Sequence, residues 1–219
     1  MSNIAGKAYG MNVLTPVKPW RAWLQKTIFM AVRAIPSTLR GLLGLKLIHF
    51  ARWVVVRRGQ WPDLGQGKQN LANDYVLFIS NFNGTWDQYI DAFADGLPTG
   101  LDLLWYASTQ YPHSIPISSF KTYISANQID NGYYYNATPG AAQRDIKAAL
   151  RVRREIQALA PLHATLDAAA FAAAYRAAFG RLANSLASPG FAPIASIATQ
   201  KADIARRMFI DDLIARRGG

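Results

Sequence analysis

The 219-residue sequence contains no cysteine, only three histidines and a single glutamate, Glu155. The missing thiols exclude cysteine nucleophiles, Cys-ligated zinc, iron–sulfur clusters and disulfides together. Long apolar runs are missing as well. The nearest candidate, residues 20–45, is broken by Arg21, Lys26, Arg33 and Arg40 and does not read as a membrane-spanning helix. The first twenty residues lack the apolar stretch and small-residue cleavage site of a signal peptide. No phosphate-binding glycine loop, nucleophile elbow, HExxH pair or RNP-type motif occurs, so no reaction is announced by a motif.

Hydrophobic residues make up 51% of the chain and aromatics 12%, enough to bury a core. The net charge of +11 is unevenly distributed. Residues 1–58 carry ten basic side chains and no acid, the first carboxylate being Asp63. Residues 59–143 reverse this, with Lys68 and Lys121 against seven aspartates, and residues 144–219 set twelve basic groups against six acidic ones. The molecule is charge-segregated. Aromatic groups at Trp105, Tyr106, Tyr111 and Tyr133 to Tyr135 suit base stacking, but they lie in the acidic part, where phosphate is repelled. Nucleic acid is therefore not the expected partner.

Residues 1–15 are small and polar and read as a flexible leader. Pro19 opens a helix over residues 20–35, stopped by Pro36. On a helical wheel Trp20, Trp23, Leu24, Thr27, Ile28, Met30, Ala31, Ala34 and Ile35 share one arc. Arg21, Gln25, Lys26 and Arg33 take the other, with Phe29 and Val32 as exceptions. Residues 38–45 read as a short further helical piece. Strands are expected at residues 46–57, 75–82, 101–107 and 132–137, and helices at 85–97, 118–128, 141–160, 163–188 and 199–217. Thr85 followed by Gln88 has the spacing of a capping box. The expected fold is α+β, a mixed four-stranded ferredoxin-like sheet with packed helices, an N-terminal amphipathic helix and a C-terminal helical extension. The chain divides accordingly into 1–45 (basic leader and helix), 46–160 (sheet domain) and 161–219 (Ala-rich helices).

The densest polar cluster runs from Ser80 to Asp95. There Asn81 and Asn83 leave a strand for a helix N-terminus, where polar ligands are favoured. Asp87, Asp91 and Asp95 recur every four residues on one helical face. Such a ladder fits a hard cation, but no loop with fixed ligand spacing accompanies it, and a turn, a helix dipole and solvated carboxylates explain the same residues. No metal site is expected. The histidines, His49, His113 and His163, are scattered. In a strand that alternates, His49 shares a face with Ala51 and Trp53, and Phe50, Arg52 and Val54 take the other.

The run from Ile48 to Val55 (His-Phe-Ala-Arg-Trp at its centre), with Leu77 to Gly84 and then Trp86, Asp87 and Tyr89, resembles a group of uncharacterised bacterial proteins. Its members carry a HFAR-aromatic-Val strand, an Asn-Phe-Asn/Asp-Gly turn and a Gly-Tyr-Pro-like segment. The resemblance covers roughly residues 46–155, and Tyr111-Pro112 falls at the last element without its glycine. It implies a shared α+β module and lends no reaction. It directs attention to His49, Arg52, Asn81, Asn83 and Asp87, to which Tyr111 is added as a candidate ligand-site residue.

The basic N-terminal helix fits attachment at a surface. Lys18, Trp20, Arg21, Trp23, Lys26, Arg33 and Arg40 are the expected contacts to an anionic membrane surface or an acidic protein partner, at the cytoplasmic face of the membrane. The competing arrangement lays the same apolar arc on the protein's own sheet. The expected function is a peripheral membrane- or complex-associated binding protein whose sheet domain takes a small-molecule ligand. Two alternatives stand beside it. One is a ferredoxin-like oxidoreductase holding haem through one histidine, with Arg52 or Asn81 polarising bound oxygen. The other is a structural subunit of a larger assembly.

Overall fold

The computed structural model describes residues 3–34 and 47–186, with Met208, Asp212 and Arg216 as isolated positions. The helix expected at 38–45, with Arg40, lies outside the described residues, and so does the one expected at 199–217 apart from those three isolated positions, which are helical. The rest forms a mixed α/β fold, in which a five-stranded antiparallel sheet carries helices on one face. Strands β1 (Ile4–Ala5), β2 (Ala8–Val17), β3 (Ile48–Val56), β4 (Asp74–Asn83) and β5 (Gln128–Ile129) are arranged β1-β2-β4-β3, with β5 also on β2. The order is not that of a ferredoxin-like sheet.

Three sequence expectations are corrected here. Residues 8–17, expected as leader, form the strand that pairs with β4 along its whole length, from Ala8 opposite Asn83 to Val17 opposite Asp74. Its alternation of Tyr9, Met11, Val13, Thr15 and Val17 presents one side to the core, and all five are buried. Asn3 fastens the entry, donating from Nδ2 to Asp130 Oδ1 (2.9 Å) and accepting the Asn131 N–H at 2.8 Å. Residues 101–107, expected as a strand, belong largely to a helix, because Pro98 supplies a pre-set first turn. Residues 132–137 make no ladder and follow β5 as an irregular segment.

Six α-helices occur among the described residues: α1 (Ala22–Ala34), α2 (Trp86–Gly96), α3 (Pro98–Trp105), α4 (Ile117–Ala126), α5 (Gln143–Leu159) and α6 (Ala168–Leu182). A 3₁₀ turn, Pro19–Arg21, leads into α1. At α2 the Thr85 hydroxyl accepts the Gln88 N–H and the Gln88 side chain accepts the Thr85 N–H, the reciprocal cap that the sequence predicts. Tyr9, Met11, Val13, Phe78 and Phe82 of the sheet meet Tyr89, Ile90 and Phe93 of α2, Leu101, Leu104 and Trp105 of α3, and Phe120 and Ile124 of α4 in one core. Phe82 and Tyr89 stack with centroids 3.8 Å apart, and the Tyr89 hydroxyl is satisfied by Ser80 Oγ at 2.8 Å.

The opposite sheet face is only partly covered. Asn131 and Tyr134 cross it at Gly10, where a Cβ would lie 2.8 Å from Asn131 Nδ2, so a side chain there would push the Asn131 amide out of place. Helices α5 and α6 pair through buried Leu159, Ala178 and Leu182 and an Arg181–Glu155 bridge of 2.7 Å.

Candidate functional site

Helix α1 is held by the stripe Ala22, Gln25, Phe29 and Val32, spaced three, four and three residues apart. Gln25 is fully buried: Nε2 donates to Leu104 O (2.9 Å) and Oε1 accepts the Ala107 N–H (3.2 Å), tying α1 to the end of α3. Phe29 packs against both buried clusters of the core. The residues that the wheel set aside as exceptions, together with a glutamine placed on its polar arc, thus form the inward face.

The consequence lies on the stripe one residue, about 100°, further round. Trp23, Lys26, Met30 and Arg33 are all exposed. Trp20, Trp23 and Met30 keep 64%, 63% and 65% of their surface open to solvent, far more than an isolated surface apolar residue needs. The Arg21 guanidinium lies 4.8 Å from the Trp20 ring centroid. Among the described residues, Lys18, Arg21, Lys26 and Arg33 form no ion pair. Among the described residues the helix therefore offers a surface that is apolar and positive at once, with no ion-pair partner for these cations.

Beside this surface α1 borders a cavity of about 310 Å³ between Val32 and the α2–α3 corner, lined by Phe93, Leu97, Leu101, Leu103 and Leu104. No histidine lines it.

The six candidate ligand-site residues do not converge. His49 and Asn83 are neighbours at a bulge where β3 slips register between Ile48 and Phe50. Burial holds the His49 imidazole below its ordinary range against the opposing effect of Asn83, and its buried Nε2 has no hydrogen-bond partner among the described residues. Asn83 joins three segments: Nδ2 donates to Lys7 O (2.8 Å), Oδ1 accepts the Gln143 N–H (2.8 Å) and its own N–H reaches Leu47 O (2.8 Å). Asn81 and Arg52 lie on the face away from the helices, Asn81 donating to the Tyr134 hydroxyl and Arg52 standing exposed opposite Ile79. Asp87 is at the first turn of α2, where Lys121 of α4 reaches both Asp87 (3.3 Å) and Asp91 (2.7 Å), so a protein cation occupies two rungs of the aspartate ladder.

Tyr111 belongs to a separate cluster that the sequence did not reveal. Its hydroxyl donates to Asp102 Oδ1 (3.0 Å), which also accepts the Ser114 N–H (2.8 Å), while His113 Nδ1 lies 3.5 Å from Oδ2. Gln110 and His113 both have positive φ, 56° and 69°, so the loop wraps the carboxylate by left-handed turns. Burial pushes the Asp102 carboxyl up, but the donors from Ser114 and Tyr111 with the His113 charge outweigh it and hold it below the ordinary range. Burial and Asp102 together push the Tyr111 phenol far up. The Pro98 signal for a helix reaching Asp102 was the one available clue to this arrangement.

No protein-family model, curated protein or solved structure matches this chain. The resemblance over residues 46–155 therefore rests on its motifs alone. Among the described residues no helix is long and apolar enough to cross a membrane, and no group of His, Asp or Glu is arranged to hold a metal ion.

Proposed function

We propose that this protein attaches to an anionic membrane surface, the cytoplasmic leaflet, through the exposed face of α1. One observation carries the reading: α1 docks on its own domain by Gln25, Phe29 and Val32, leaving Trp20, Trp23 and Met30 outward among Lys18, Arg21, Lys26 and Arg33. Tryptophan is suited to the headgroup boundary, methionine to the upper acyl region, and the cations to anionic headgroups. The helix lies on the surface and does not span it.

Flotation with phosphatidylcholine vesicles, with and without phosphatidylglycerol, tests this. Binding is expected only to the anionic vesicles and weakens as salt rises. Each basic residue at such a surface contributes about 1 kcal/mol, so Lys26→Gln with Arg33→Gln lowers affinity by roughly 25-fold. Equal binding to neutral vesicles, or affinity unchanged in the double variant, refutes the reading. Point substitutions are the appropriate perturbation, because deleting the N-terminal segment also removes central strand β2.

A further inference from the structure

We infer that the cavity between α1 and the α2–α3 corner takes up one acyl chain of an anionic membrane lipid, so that the protein withdraws part of a lipid from the bilayer it docks on. This rests on the membrane-surface reading of α1. The cavity measures about 310 Å³, at the small end of ligand pockets. Apart from Thr99, its lining side chains are aliphatic or aromatic, and nothing in it calls for a polar ligand. An unbranched hydrocarbon chain fits such a lining, since it leaves no polar group unpaired on either side.

The charge around the cavity selects the lipid. Val32 is both a lining residue and the last member of the inward stripe, and Arg33 follows it on the exposed stripe with Lys26 two turns back. A chain entering beside Val32 therefore leaves its headgroup near Arg33, which favours an anionic head. Asp95, exposed just before lining residue Gly96, is the opposing charge on the α2 side and directs the head toward α1.

Gly100 allows a clean test. It lies in α3 and lines the cavity, and a Cβ there would meet nothing closer than Leu97 Cδ2 at 3.6 Å, an ordinary contact. Gly100→Leu thus fills the cavity at a position where helix propensity improves. Gly100→Ala, one methyl with the same contact, is the milder variant. The full-length protein is incubated with sucrose-loaded phosphatidylcholine/phosphatidylglycerol vesicles carrying tritiated phosphatidylglycerol. The vesicles are then pelleted at high salt, and label on the released protein is counted. The wild type retains lipid, Gly100→Leu retains at least fivefold less and Gly100→Ala an intermediate amount, while all three float with vesicles equally at low salt. Equal retention by all three, or no label on a wild type that floats, overturns the cavity inference and leaves surface docking standing. Failure of the wild type to float overturns the docking reading and this inference with it. A parallel incubation with tritiated palmitate separates the sources: retention of palmitate without phosphatidylglycerol overturns the assignment to a membrane lipid.

Discussion

Replacing Gln25 with alanine removes a side chain that joins α1 to the end of α3 by hydrogen bonds at both its amide atoms. The Leu104 carbonyl is one of those that a helix leaves unsatisfied at its C-terminus, the Ala107 N–H lies just past that end, and both residues are buried. Losing a partner costs each about 1–3 kcal/mol, and the truncated side chain adds lost packing at a fully buried site. The sum, about 3–7 kcal/mol, is a large share of the roughly 5–15 kcal/mol that holds a domain folded. Urea unfolding followed by tryptophan fluorescence should show a lower midpoint with an unchanged slope. Gln25→Met, which keeps the volume and loses both bonds, should recover only the packing part. Hydrogen exchange gives a local readout, since the Ala107 amide should lose protection in both variants ahead of the sheet. A loss below about 1 kcal/mol in both, with Ala107 still protected, would refute the assignment of Gln25 as the clamp.

The Asp102 cluster predicts an acid limb. A carboxyl held below its unfolded value, about 3.9, stabilises the fold fully above that pH and loses this contribution as pH falls through the lower folded value. Near-UV circular dichroism from Tyr111 and its neighbours should therefore change below about pH 4 in the wild type, and Asp102→Asn should flatten that transition. Lys121→Met should cost about 1 kcal/mol or less, because the bridges to Asp87 and Asp91 are solvent-accessible, and the difference should shrink in high salt. A salt-independent loss of several kcal/mol would show that Lys121 has a buried role.

Where local and tertiary preferences coincide, the sequence is readable. Strands β3 and β4 are apolar, rich in β-branched and aromatic residues, and close to their expected limits. Helix α2 begins where Thr85 and Gln88 say it should. The failures have separate causes. In β2, Gly10, Asn12 and Pro16 depress strand propensity, and pairing with β4, β1 and β5 together with the Asn131–Tyr134 crossing makes the conformation stable. The apolar run of α3 has no period that tells a strand from a buried helix, and Pro98, which follows the helix expected at 85–97, begins the next one. Tyr133 to Tyr135 have high strand propensity but no partner strand. On α1 the wheel ranked Gln25 by polarity, whereas burial followed its two backbone partners. The exposed side chains of α1 are legible in the sequence; the candidate ligand-site residues are distributed over the far sheet face, the β3 bulge, the first turn of α2 and the loop at Tyr111.

The position of β2 in the sheet has a consequence for biosynthesis. This strand precedes α1 and β3 in the chain and yet lies inside the sheet, and its principal partner β4 is translated only after both. Until Asp74 to Asn83 leave the ribosome, residues 1–73 hold an apolar strand, a tryptophan-bearing helix and eleven cationic side chains opposed by Asp63 alone. Closure must then bring together segments far apart along the chain, which slows folding and prolongs exposure of the strand. The same residues proposed to hold the finished protein on a membrane thus need shielding from ribosomal RNA and from one another until β4 arrives.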